Sequence, residues 1–255
     1  MRRVRSHAEL LELSGGDPWV RWALDPALPG EAWVHGPVAL VERLGGRRGF
    51  WVAPLTAATG ADADAVRAAL VALRDGDHLR RLRSSSVSVV RPHASVAHEV
   101  LDLGPGGDWD WMWSTSSPPA DSRESELEVL DDGRDAEELS SFARVHNPRV
   151  WTEIGTGRVV RWVGRRDAAG RLTAVGGAER EAGGVPHLAG IVTATDLRGR
   201  GWGTVVTAAL TRWALQEHGV CTLGVFADNR TALRVYRRLG YRTARAWHSR
   251  RLAQG

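Results

Sequence analysis

The sequence predicts an α/β protein built from two consecutive halves, and three stretches carry that expectation. The first is an apolar run, Leu188 to Val192. It breaks into the glycine-rich turn Asp196-Leu197-Arg198-Gly199-Arg200-Gly201-Trp202-Gly203-Thr204 and continues as an amphipathic run to Gln216. The second is the pair of apolar runs Arg158 to Arg165 and Leu172 to Glu179, which read as paired strands across Asp167-Ala168-Ala169-Gly170. The third is a helix flanked by strands in the first half, from Asp62 to Arg74. Its Ala65, Val66, Ala69, Leu70 and Leu73 fall on one face at spacings of three and four.

A chain of 255 residues is long enough for one large domain or two of ordinary size. Its 43% hydrophobic and 25% charged content is that of a soluble globular protein. No run approaches 18 uncharged apolar residues, so no membrane partner is expected. The basic start, Met1-Arg2-Arg3-Val4-Arg5, leads into no signal-peptide core, and cytoplasm is the expected location. A single cysteine, Cys221, forms no internal disulfide and no metal cluster, so no metal is expected. All 34 basic residues are arginine, the net charge is only +4, and acids are interleaved nearly everywhere. A nucleic-acid binder clusters its charge, so no nucleic acid is expected as partner.

Residues 1–121 read as an α+β domain. Leu10 to Leu13 and Pro18 to Leu24 are helical or irregular. Trp33 to Val41 and Gly49 to Val52 read as neighbouring strands joined by the turn Gly45-Gly46-Arg47-Arg48. After the helix, Ser86 to Val90 and His98 to Leu103 read as two more strands. Trp109, Trp111 and Trp113 alternate with Asp108, Asp110 and Met112, a period of two that argues a strand with one apolar and one mostly wet face. Its indoles fill a core at a domain junction or sheet edge, or wall an acceptor pocket. Pro118-Pro119 and several serines make Ser114 to Ser125 a linker.

Residues 122–255 read as the second domain. Glu126 to Leu130 is its first strand, and Asp135 to His146 an amphipathic helix stopped by Asn147-Pro148. Gly183-Gly184 turns the chain into the strand that ends at the glycine-rich turn. Beyond the long helix come the apolar strand Cys221 to Ala227, the helix Asn229 to Leu239, and Ala244 to Leu252, which closes the sheet. Cys221 reads as core packing.

A strand that passes through glycines straight into a helix builds an anion site. The first amides of the helix lack intrahelical acceptors, and its dipole puts partial positive charge at that end. Gly199, Gly201 and Gly203 let the backbone approach a bulky anion with no Cβ in the way. There is no Gly-Lys-Ser/Thr ending and no lysine in the chain, which excludes a Walker-type loop. The spacing is not Gly-x-Gly-x-x-Gly, and no acidic residue ends a second strand about 20 residues on, which disfavours a dinucleotide fold.

Arg198-x-x-Gly201-x-Gly203 after a strand resembles the acyl-CoA pyrophosphate loop of the GCN5-related N-acetyltransferases (the GNAT family). Asp228-Asn229-Arg230-Thr231-Ala232-Leu233-Arg234-Val235-Tyr236-Arg237-Arg238-Leu239-Gly240-Tyr241 resembles the family's second signature, an Asn, Ala, Tyr and Leu-Gly-Phe/Tyr series. The motifs stand in the family's order and separation, cover roughly residues 125–252, and are most similar to the FR47-like branch. The resemblance implies a GNAT-like mixed sheet flanked by helices for the second half. The first half has the layout of a degenerate copy of that unit without either motif, hence without CoA; the alternative is an unrelated α+β domain that buttresses the second.

The resemblance further implies acetyl-CoA as co-substrate and a small-molecule or peptide amine as acceptor, and it leaves room for a homodimer. Backbone amides of Gly199, Arg200, Gly201, Trp202, Gly203 and Thr204 would take the pyrophosphate, with Arg198 supporting the loop or adding charge. Ile191, Val192 and Thr193 would be the strand edge that pairs with pantetheine amides, in a wedge opened by splaying that strand from the next. Asn229 would cap its helix and contact the cofactor. Tyr236, four residues after Ala232 and on the same face, would bind the cofactor and be the acid for the departing sulfur; the alternative is a packed tyrosine whose hydroxyl only hydrogen-bonds CoA or backbone. The base stays open between His187, Glu179 or Glu181, a water chain, and an amine that arrives neutral and needs none. Arg149 to Gly157 lies where the family usually has its acceptor-binding segment. No plausible covalent nucleophile is present, which favours direct transfer in a ternary complex; a catalytically silent acyl-CoA-binding or sensing module is the alternative.

Overall fold

The structure, a computed structural model, describes residues 1–45, 48–56 and 62–253. Gly46 and Arg47 of the expected turn therefore lie outside the described residues. Two compact units form: Met1–Trp111 with Val225–Asp228 and the described part of Thr243–Gly255, and Met112–Gly224 with Asn229–Arg242.

The first unit opens with β1 (Arg2–Val4), α1 (His7–Leu13) and α2 (Pro18–Ala23). The Ser6 hydroxyl caps α1, and the Asp17 carboxylate caps α2 by accepting from the Trp19 and Val20 amides at 3.0 and 3.3 Å. One strand is expected from Trp33 to Val41, but two form, β2 (Ala32–His35) and β3 (Val38–Arg43). Gly36, at φ +56°, and Pro37 turn the chain back so that His35 pairs with Val38. β4 (Gly49–Pro54) leads toward α3 (Ala63–Asp75), and after the short α4 (His78–Arg81) comes β5 (Ser86–Val90), parallel to β4.

The first half of the expected strand His98 to Leu103 is helix, and only Leu103 begins a strand. In α5 (Ala94–Val100), Val96, Ala97 and Val100 bury one face in the core that Val66, Leu70 and Leu73 of α3 also fill. Packing overrides the β-propensity of the valines. β6 (Leu103–Ser114) holds the tryptophans, but its second face is not wet. Asp110 and Met112 are buried alongside Trp111, and Asp110 pairs with Arg91. Nor is β6 an edge, since the Ala227 amide donates to the Asp108 carbonyl at 2.9 Å.

The second unit begins with a stretch that reads as a linker yet is pinned. Asp121 and Glu124 form a capping box on a short 3-10 turn, and Arg212 donates to the Pro119 carbonyl at 3.0 Å. Then follow β7 (Leu127–Leu130), α6 (Ala136–His146), β8 (Val159–Arg166), β9 (Leu172–Arg180), β10 (Pro186–Thr193), α7 (Trp202–His218), β11 (Cys221–Phe226) and α8 (Arg230–Arg238). The sheet runs β11-β10-β9-β8-β7, antiparallel except for the parallel pair β10–β11. Consecutive glycines on β9 set its two faces. A Cβ on Gly176 would strike Val206 and Leu210 of α7, and one on Gly177 would strike Trp162 on the opposite, α6 side.

The last strand, β12 (Arg242–Leu252), returns to the first unit and pairs antiparallel with β5, from Trp247 against Val90 to Arg251 against Ser86. The first unit's sheet is thus β1-β2-β3-β4-β5-β12-β6. Both units run the same course: four antiparallel strands in sequence, then a helix and a parallel fifth strand.

Candidate active site

The glycine turn emerges as a loop of open amides. Gly199 and Gly201 adopt φ +80° and +85°, left-handed geometry that a Cβ disfavours, and Trp202 opens α7. Among the described residues, no amide from Arg198 to Gly203 donates to a protein acceptor, but the Thr204 amide, expected in the set, is taken by the Gly201 carbonyl at 2.9 Å as the first turn of the helix closes. Six consecutive free N–H groups at the positive end of a 17-residue helix fit a diphosphate.

The loop is braced by residues far away in sequence. Arg123 donates to the Arg200 carbonyl at 3.0 Å, and its guanidinium lies 5.4 Å from the Trp202 ring, with Arg165 at 4.2 Å. Asp121 holds Arg123 in turn; the hydrogen bonds from Arg123 bring the Asp121 carboxyl down to about 2. Arg198 donates to the carbonyl of His146, the last residue of α6, which ties the loop to that helix end. Trp202 thus packs the helix start. Arg123 and Arg165 are invisible to a local reading, although the Asp121-x-x-Glu124 capping pattern signals that this segment is folded.

Beside the loop, two parallel strands part. β10 and β11 pair only at His187–Thr222 and Leu188–Leu223. β10 stays on β9 through Thr193, with one extra residue between Ala189 and Val192, and Gly190 there takes φ +62°. That bulge twists β10 away from β11. The edge from Ala189 to Thr193, including Ile191 and Val192, therefore keeps backbone groups for another partner.

Two faces meet at this gap. Tyr241 donates to the Cys221 Sγ at 3.0 Å and lies 2.7 Å from the Thr211 hydroxyl of α7; Tyr236 packs on it with ring centroids 5.9 Å apart. Tyr236 is therefore on the α7 side. Burial pushes its phenol up to about 12, and its hydroxyl makes no hydrogen bond among the described residues. Asn229 caps α8 by accepting from the Ala232 amide at 3.1 Å. Cys221 is fully buried, and burial pushes its thiol up to about 12, as befits core packing.

His187 lies on the other side of the sheet, opposite Glu179 in register and still within the paired end of the strands. Its Nδ1 contacts Glu181 and sits 3.0 Å from the Thr222 hydroxyl. Burial opposes its charged form, but Glu181 and Glu179 outweigh that and raise its pKa. Burial also raises Glu179. Arg149 to Gly157 flanks this face: a Cβ on Gly190 would meet Trp162 at 2.7 Å and Thr152 at 3.3 Å. Asp132 holds that segment by accepting from the Gly155 and Gly157 amides and the Trp162 indole.

An anion-receptive helix start beside an opened parallel strand pair defines a fold of the acyl-CoA-dependent acyltransferase class. Residues 110–241, just over half of the chain, match the acetyltransferase (GNAT) family. The chain belongs to that family. A GCN5-related N-acetyltransferase from Kribbella flavida is 18% identical over 89% of this chain and 90% of that one, with a TM-score of 0.55. One from Sphaerobacter thermophilus is 16% identical over 98% and 94%, at 0.56. A Drosophila protein is 14% identical over 99% and 98%, at 0.60. At these identities the likeness is of fold, and it extends over the first unit as well as the second. No match was found among curated proteins. Among the described residues, no helix is long and apolar enough to cross a membrane, and no group of three or more His, Cys, Asp or Glu could hold a metal.

Proposed function

We propose that the protein is an acetyl-CoA-dependent N-acetyltransferase that passes the acetyl group directly to a primary amine in a ternary complex. The observation that carries this reading is the loss of β10–β11 pairing after Leu188–Leu223, next to six free loop amides. Acetyl-CoA, when bound, supplies the thioester. The amides from Arg198 to Gly203 hold its diphosphate, and the free edge of Ile191 to Thr193 aligns the pantetheine arm and polarises the acyl oxygen. Tyr236, protonated at working pH, donates to the departing sulfur. His187 faces the opposite side, beside the Arg149–Gly157 segment, where an amine acceptor approaches. The acceptor is a small molecule or a peptide amine.

Thiol release from acetyl-CoA across a panel of small and peptide amines tests this reading, with Tyr236→Phe as control. Amine-dependent release that Tyr236→Phe suppresses supports it. CoA binding without release for any amine contradicts it and favours a sensing module.

A further inference from the structure

Resting on the transfer reading, we infer that His187 is the base for the acceptor amine and that Glu181 is its positioning residue, which fixes the ring so that Nε2 alone faces the acceptor.

The Nδ1 side of His187 is closed. It contacts a Glu181 carboxylate oxygen and lies 3.0 Å from the Thr222 hydroxyl, whose single proton has the Pro186 carbonyl at 3.1 Å and Glu181 at 3.3 Å as acceptors. A carboxylate can only accept, so the proton of a neutral imidazole resides on Nδ1. Nε2 is left with its lone pair and has no hydrogen-bond partner among the described residues. The side chain is 21% exposed, and Nε2 is not among the fully buried nitrogens that lack a partner, so it is both held and open to solvent. A carboxylate on the far nitrogen orients the ring and stabilises the imidazolium formed when Nε2 takes a proton. The charged groups around it are Glu179 on β9, Glu181 after β9, and Arg158 and Glu153 near Glu179; β11 contributes the neutral Thr222.

The step balances. As the amine nitrogen bonds the acyl carbon, the carbon–sulfur bond breaks. The amine proton goes to Nε2 of His187, the sulfur takes the proton of the Tyr236 hydroxyl, and exchange with solvent resets both residues.

The test uses Glu181→Gln, which keeps size and hydrogen bonding but removes the charge. With an amine that the wild type turns over, kcat should fall on the order of 10- to 100-fold with little change in KM. The acidic limb of kcat/KM should move to lower pH, because the imidazolium loses its carboxylate. Glu181→Asp should restore much of the limb's position, and His187→Gln should abolish the limb. A full-length Glu181→Gln protein with an unchanged melt and an unmoved limb overturns the role of Glu181 while leaving the transfer reading intact. Wild-type protein that binds CoA but releases thiol with no amine overturns both. NMR titration of His187 in the wild type adds a readout that needs neither variant nor acceptor: it should titrate above an exposed histidine, and titration at or below one overturns the pairing.

Discussion

In the proposed reaction Tyr236 gives up a proton and His187 takes one, and burial and charge bear on the two side chains differently. Burial without a neighbouring cation holds the Tyr236 phenol at about 12, so it keeps its proton across the working range. Tyr236→Phe should lower kcat by about 100-fold or more and leave CoA affinity unchanged, as rapid-mixing kinetics and calorimetry would record. His187 is raised from its ordinary 6.5 despite burial, because Glu181 favours the charged ring. A raised folded-state pKa stabilises the fold fully below 6.5, and that contribution is lost as pH rises through the raised value. Melts of wild type and His187→Gln should therefore differ most at pH near 5 and converge toward the alkaline end. The place of Tyr236 on a helix capped by Asn229 was readable from its motif alone. The His187–Glu181–Thr222 contact was not, because it joins two strands and a turn that are distant along the chain.

At the scale of elements, the loop and the bulge make the candidate site. Gly201→Ala would force a Cβ onto a residue at φ +85° and to 3.3 Å from the Arg123 guanidinium. The left-handed penalty of about 1–2 kcal/mol should weaken CoA binding by about fivefold or more. Gly184→Ala, at φ +81° in the turn before β10 with open space around it, should cost stability without touching CoA affinity. Calorimetry and thermal melts on the two variants separate these outcomes. The loop was legible because glycine spacing and helix amphipathicity are local. The bulge left only a trace, the lone glycine in Leu188-Ala189-Gly190-Ile191-Val192, a known sign of an irregular strand. The helix α5 was misread because valines suit a strand until α3 gives them a helical partner, and the hairpin at Gly36-Pro37 hid inside a continuous apolar run.

At the scale of the molecule, the two units share a course but not a site. In the first, β4 and β5 pair at four consecutive positions, Gly49–Ser86 to Val52–Val89, so no gap opens between them. Asp62 caps α3 by accepting from the Ala65 amide at 2.7 Å, with Asp64 in the first turn, so negative charge already occupies the end where an anion would bind. That unit is instead held by its C-terminal strand, through a buried ion pair 2.8 Å long between Arg245 of β12 and Asp17, the cap of α2. Arg245→Ala strands that carboxylate and should cost about 3–5 kcal/mol in a denaturant melt. No local pattern announces this pair, which spans nearly the whole chain, whereas the order of strands, helix and strands in the first half was visible in its spacing. The central claim, that the amides opening α7 hold the CoA diphosphate, is tested most directly by amide hydrogen exchange with and without CoA. Protection confined to Arg198–Gly203 and the Ala189–Thr193 edge is the predicted result. CoA binding that leaves those amides exchanging as before, or that protects the start of α3 instead, would contradict it.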